Sequence, residues 1–157
     1  MIFYTSQIDY SYCLRAGRDR PGVSLCMKVN YLSQVPVISI VDDDPSVRAA
    51  TSRLVRSLGY SVTTFASAGD FLSFSKAHEA SCLIADVQMP GISGIELQNR
   101  LIASGCSTPI IFISAFPEAS IRQKALNAGA VALLGKPFDE SALIESIDIA
   151  LGKLEAR

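Results

Sequence analysis

The chain has 157 residues, 49 % hydrophobic and 18 % charged, with a formal net charge of −1. That composition excludes wholesale disorder and suits one soluble domain around a single core. No stretch reaches the roughly 18 apolar residues of a membrane span, and Tyr4-Thr5-Ser6-Gln7 and Asp9 interrupt any signal-peptide core, so a cytoplasmic protein is expected.

Residues 1–34 lack a regular rhythm. They are aromatic at Tyr4, Tyr10, Tyr12 and Tyr31, and Gly17, Pro21 and Gly22 break the segment. A flexible N-terminal extension is expected here, or residues upstream of the natural start with Met27 as initiator. The alternative is an arm that adds a strand or pairs two protomers. A separate, regularly patterned domain is expected over 35–157.

From Val35 onward, apolar runs of about five residues alternate with helix-like segments, the pattern of βαβ units and a parallel sheet. Val37-Ile38-Ser39-Ile40-Val41 is the first strand. Asp44-Pro45 then reads as N-cap and first helical position, with Val47, Ala50, Leu54 and Leu58 on one face and Gly59 closing the helix. Ser61–Phe65 is a strand by its β-branching. A short helix is expected from Ser67 to about Lys76, with Phe71, Leu72 and Phe74 facing in.

Cys82–Ala85 forms the third strand, ending in Asp86. Met89-Pro90-Gly91 opens a loop, and a helix from about Gly94 to Ala103 packs through Ile95, Leu97 or Gln98, Leu101 and Ile102. Ile110–Ile113 is the fourth strand, ending in Ser114. Pro117 opens the next helix, which carries Ile121, Ala125 and Leu126 inward and stops near Gly129. Val131–Gly135 is the fifth strand, running into Lys136. The last helix begins near Asp139 and packs through Leu143, Ile144, Ile147 and Leu151.

Five strands and five helices in strict alternation make a doubly wound sheet, whose ligand chemistry sits at the carboxyl ends of the strands. Asp42, Asp43, Asp86, Ser114 and Lys136 all stand at such ends. Three carboxylates brought close together must protonate or bind a cation. Oxygen ligands with open positions suit Mg²⁺, and a carboxylate can attack phosphorus to give an aspartyl phosphate. Asp86, alone after a central strand, is the expected nucleophile. Asp42 and Asp43 suit metal holding, and Asp44 is a helix cap. Lys136 supplies a point charge and Ser114 a hydroxyl for the phosphoryl oxygen.

These segments carry a resemblance. Val41-Asp42-Asp43-Asp44-Pro45, Asp86-Val87-Gln88-Met89-Pro90-Gly91-Ile92-Ser93-Gly94, Phe112-Ile113-Ser114-Ala115 and Gly135-Lys136-Pro137-Phe138 resemble the bacterial response-regulator receiver family, also called CheY-like. In detail they look most like receivers that precede LuxR-type DNA-binding domains. The resemblance implies a flavodoxin-like α/β fold with strand order 2-1-3-4-5. It implies phosphorylation of Asp86 from a histidine kinase or phosphotransfer protein. Asp43 and Asp86 would ligate Mg²⁺ directly, Asp42 largely through water, and Gln88 through its main-chain carbonyl. Ser114 and Lys136 would be the phosphate-sensing pair, and the bond before Pro137 would be cis. Leu133 departs from the family, which usually has Tyr or Phe there as an inward-swinging switch.

The expected function is therefore a two-component phospho-switch, with no turnover beyond its own phosphorylation and dephosphorylation. The chain stops at Arg157, soon after the fifth helix, so action through contacts with an unknown downstream protein is expected. The alternatives are a receiver fragment of a DNA-binding transcription regulator, or a Mg²⁺-dependent phosphatase with an Asp nucleophile and an acid/base carboxylate two residues on, as Asp42 and Asp44 are spaced. A homodimer formed on phosphorylation is left open.

Other readings fall away. Residues 36–157 hold ten Lys/Arg against thirteen Asp/Glu, so no direct nucleic-acid partner is expected. A flavin-phosphate site would be repelled by Asp42-Asp43-Asp44. Cys13, Cys26, Cys82 and Cys106 contain no C-x-x-C pair, which argues against a zinc site, and Cys82 reads as a small buried hydrophobe. His78 reads as a surface residue rather than a relay histidine.

Overall fold

In a computed structural model, which describes residues 35–154, the strands are β1 (Val37–Val41), β2 (Ser61–Phe65), β3 (Cys82–Asp86), β4 (Ile110–Ser114) and β5 (Ala132–Gly135). They form one sheet in the order β2-β1-β3-β4-β5, with every neighbouring pair parallel. The helices are α1 (Pro45–Ser57), α2 (Ala68–Ser73), α3 (Gly94–Ala103), α4 (Ala119–Asn127) and α5 (Glu140–Ala150). This is the doubly wound sheet that the alternation implied, in the flavodoxin-like strand order that the resemblance implied. The expected extension over 1–34, with its strand-adding alternative, lies outside the described residues.

Side chains alternate across a strand, so each run feeds two cores. Leu83, Ala85, Ile110, Phe112 and Leu133 join Phe71 of α2, Leu97 and Leu101 of α3 and Ala125 of α4 in one layer. Ile38, Ile40, Cys82, Ile84, Ile111 and Ile113 join Val55 of α1 with Leu143 and Ile147 of α5 in the other. With both faces covered, β3 and β4 are buried at every position. That is why these runs read as continuously apolar rather than alternating. Burial also pushes the Cys82 thiol up to about 12, so it behaves as the small hydrophobe it was expected to be.

Several expected faces are corrected. On α1 the buried residues are Thr51, Ser52 and Val55, while Ala50 and Leu58 are exposed. The buried stripe follows Val47, Thr51, Leu54 and Val55, spaced four, three and one apart, and so is rotated away from the expected one. The α2 helix ends at Ser73 because Phe74 turns extended; a separate 3-10 turn follows at Ala77–Glu79. Phe74 is 38 % exposed, yet its ring lies 5.4 Å from that of Phe65.

On α3, Leu97 and Gln98 are both buried and Ile102 faces solvent. Gln98 Nε2 donates to the carbonyls of Ala125 and Ala128, at 3.4 and 3.3 Å, stapling α3 to the end of α4. The α4 helix starts at Ala119 rather than Pro117, since Glu118 is its extended N-cap. It buries only Ala125, leaving Leu126 exposed. The strand β5 begins at Ala132, one residue later than expected.

These faces can be checked by urea unfolding. Leu97→Ala should cost about 2–5 kcal/mol, the usual loss for a filled core position. Ile102→Ala, five residues further along the same helix, should stay within about 0.5 kcal/mol of the parent. Equal losses would show that the face is misassigned.

Candidate functional site

Parallel register delivers the ends of four strands to one edge. Val41 pairs with Ala85, Asp86 with Ile113, and Ser114 with Gly135. The next residues of β1 and β5, Asp42 and Lys136, therefore emerge beside Asp86 and Ser114. Asp42 and Asp86 are buried and Asp43 is exposed.

Each buried carboxylate is fixed by its own chain. Asp42 Oδ1 accepts the Asp44 N–H at 2.8 Å, and Asp86 Oδ1 accepts the Gln88 N–H at 3.0 Å. Both are turns in which an Asp side chain holds the backbone two residues on. Their other oxygens meet one ammonium. Lys136 Nζ donates to Asp86 Oδ2 at 2.6 Å and to Asp42 Oδ2 at 2.9 Å.

Asp43 completes the acidic group, since one oxygen from each of Asp42, Asp43 and Asp86 lies within 4.8 Å of the others. Three carboxylates facing one ammonium leave negative charge in excess. Oxygen-only donors in that state suit a hard divalent cation that keeps several waters, as Mg²⁺ does. The residues present fit the expected ion.

The electrostatics follow from burial and pairing. Burial raises the Asp42 carboxyl above its ordinary range, and hydrogen bonds from Lys136 and the Asp44 N–H offset this only in part. Burial opposes the Lys136 charge, but its hydrogen bonds to Asp86 and then Asp42 outweigh that and hold its pKa above the usual value. Asp44 stands apart as a cap. It accepts the N–H of Ser46 at 2.8 Å and of Val47 at 3.3 Å, which lower its carboxyl.

Ser114 is fully buried. Its Oγ donates to Gln88 Oε1 at 3.0 Å and accepts the Phe116 N–H at 3.1 Å. Leu133 is 1 % exposed and sits in the core layer shared with α3 and α4. The Lys136–Pro137 peptide is cis. His78 is exposed on the 3-10 turn before β3, at the strand end away from Asp86.

Three contributions escaped the sequence reading. Arg48 reaches back from α1 to donate from Nη1 to the Asp42 carbonyl at 2.5 Å. Nothing in the sequence marks it, because the contact depends on how the first helix turn folds back over the strand end. The Gln88 side chain meets Ser114 across 26 residues of sequence. Gly94 begins α3 against the end of β3, and an added Cβ would collide with the Asp86 carbonyl and press on Phe112 Cε1 at 3.0 Å. A glycine at a helix start rather than its end was the available signal.

Comparison with known proteins agrees with this geometry. The family model of the response regulator receiver domain matches residues 38–148. The chain belongs to that family. It is 46 % identical over 115 residues to the response regulator protein TodT of Pseudomonas putida, covering 73 % of this chain and 51 % of that protein. It is 35 % identical over 116 residues to the transcriptional regulatory protein FixJ of Azorhizobium caulinodans, covering 74 % and 55 %. Among solved structures, a response regulator receiver protein from Burkholderia phymatum superposes with a TM-score of 0.65 at 44 % identity, covering 74 % of this chain and 95 % of that one. The chain spans about half the length of TodT and FixJ. It is thus a receiver domain of the two-component response-regulator kind. No helix among the described residues is long and apolar enough to cross a membrane.

The ammonium can be tested by removing it. Lys136→Met leaves buried carboxylates without their partner and should destabilise the ion-free protein at neutral pH by about 1.5–3 kcal/mol. A folded-state pKa above the unfolded value of 10.5 makes this stability fully present below 10.5 and lost as pH rises past the folded value. Urea unfolding at pH 7 should show the gap, and it should narrow in alkali. A variant as stable as the parent at pH 7 would show that the bridge contributes nothing.

Proposed function

We propose that Asp86 accepts a phosphoryl group from the phosphohistidine of a histidine kinase or phosphotransfer protein, and that residues 35–157 act as a phospho-switch. The observation that carries this is the Lys136 ammonium bridging Asp86 and Asp42, with Asp43 beside them. An Asp86 carboxylate oxygen attacks phosphorus, the phosphorus–nitrogen bond breaks, and the imidazole leaves with the electron pair. Catalysis of such a transfer is chiefly positioning and charge neutralisation.

Asp43 and Asp86 would hold Mg²⁺ directly, Asp42 largely through water, and Gln88 through its main-chain carbonyl. The ion supplies charge neutralisation for the phosphoryl oxygens. Lys136 pairs with the phosphoryl group once it is attached, and the Ser114 hydroxyl turns to donate to one of its oxygens. Leu133 leaves the switch without an aromatic ring. Output goes through contacts with a downstream protein in the cytoplasm. The phosphatase reading is disfavoured by Asp44, whose carboxylate is engaged in capping α1 instead of facing the nucleophile.

Labelling with a small acyl-phosphate donor tests the assignment. The protein should take up phosphate only with Mg²⁺, and Asp86→Asn should abolish uptake. Undiminished labelling of that variant would remove Asp86 from the role.

A further inference from the structure

Ser114 has one proton to donate, and in this structure it is already engaged. A hydroxyl offers a single donor and two acceptor sites. The donor goes to Gln88 Oε1 at 3.0 Å, and one acceptor site takes the Phe116 N–H at 3.1 Å. A phosphoryl oxygen on Asp86 can receive that proton only if Gln88 gives it up.

We propose that the Gln88 side chain is a positioning residue, a latch that holds the Ser114 hydroxyl in the unmodified state and competes with the phosphoryl group for it. The inference rests on the phosphoacceptor reading above and adds a residue acting through Ser114. Gln88 suits the task from both ends. Its main-chain N–H is tied to Asp86 Oδ1 at 3.0 Å, so the backbone keeps station on the acceptor. Its side chain is exposed and borders an open groove of about 590 Å³ with Met89, Pro90, Ile95 and Ile121. A released amide therefore has room and water to receive it, and the latch can open without disturbing the core.

The latch makes the unmodified state more stable than Ser114 alone would. Removing the acceptor while keeping the length of the side chain should favour the modified state. Gln88→Met does this at an exposed position where folding is not at stake.

The experiment is a calorimetric titration with beryllium trifluoride in the presence of Mg²⁺, a stable stand-in for the phosphoryl group, on the full chain and three variants. Gln88→Met should bind about threefold more tightly than the parent, the lower range for one hydrogen bond at an exposed side chain. Ser114→Ala should bind more weakly, and the Gln88→Met, Ser114→Ala double variant should match Ser114→Ala, because the latch acts only through the hydroxyl. A Gln88→Met affinity equal to or weaker than the parent overturns the latch. So does a gain that persists without Ser114. A parent protein that does not bind the probe at all overturns the phosphoacceptor reading itself, a different failure.

Discussion

One ammonium ties the site together. Lys136, from the end of β5, reaches across the sheet edge to Asp86 on β3 and to Asp42 just past β1. Like charges so placed repel, and burial raises the Asp42 carboxyl further. The ammonium offsets both costs without exhausting the acceptor capacity of the carboxylates, since each ionised oxygen accepts more than one partner. The acidic group can therefore stand assembled before any cation arrives. Breaking a buried pair by deleting one partner is costly because it strands the other. Here it would strand two.

The remaining restraints act on main chain more than on side chains. The Asp44 and Gln88 amides pin the two carboxylates, Arg48 holds the Asp42 carbonyl, and the lack of a side chain at Gly94 lets α3 start against the Asp86 carbonyl. Gly94 also donates its N–H to the Val87 carbonyl at 3.0 Å, locking helix start to strand end. Such fixed dipoles lower the reorganisation a reaction needs, which is where phosphoryl-transfer sites obtain most of their advantage. The same restraints explain why these loops, though irregular, hold a definite shape.

Much of this was legible in the amino-acid order, for a physical reason. Buried parallel strands must be continuously apolar, so Ile110-Ile111-Phe112-Ile113 announces itself, and the polar residue that stops each run is forced to the sheet edge. Strand ends and their chemistry were therefore readable together. Helix faces were less so. On α1 the core accepts Thr51 and Ser52 in preference to Ala50, and a hydrophobic count cannot foresee small hydroxylated residues on the inner face. Gln98 is buried for its bonds to the carbonyls of Ala125 and Ala128, a partnership settled only once α3 and α4 lie side by side. The Ser114–Gln88 bond is hidden in the same way, since two loops must meet before it exists.

The place of Leu133 bears on how a change at Ser114 can travel. Leu133 is enclosed among Phe112, Ala125 and their neighbours, so any rotamer change it makes must be accommodated inside a packed layer. A leucine also sweeps less volume than an aromatic ring. The other route out of Ser114 is the Phe116 N–H, which it accepts directly. Phe116 is 69 % exposed, and Pro117 and Glu118 join it to an α4 that buries only Ala125. Elements with few buried contacts are those a protein can shift at least cost. In this chain, then, the hydroxyl is connected more directly to backbone than to a ring, and that backbone leads through the β4–α4 loop to a helix with one buried residue.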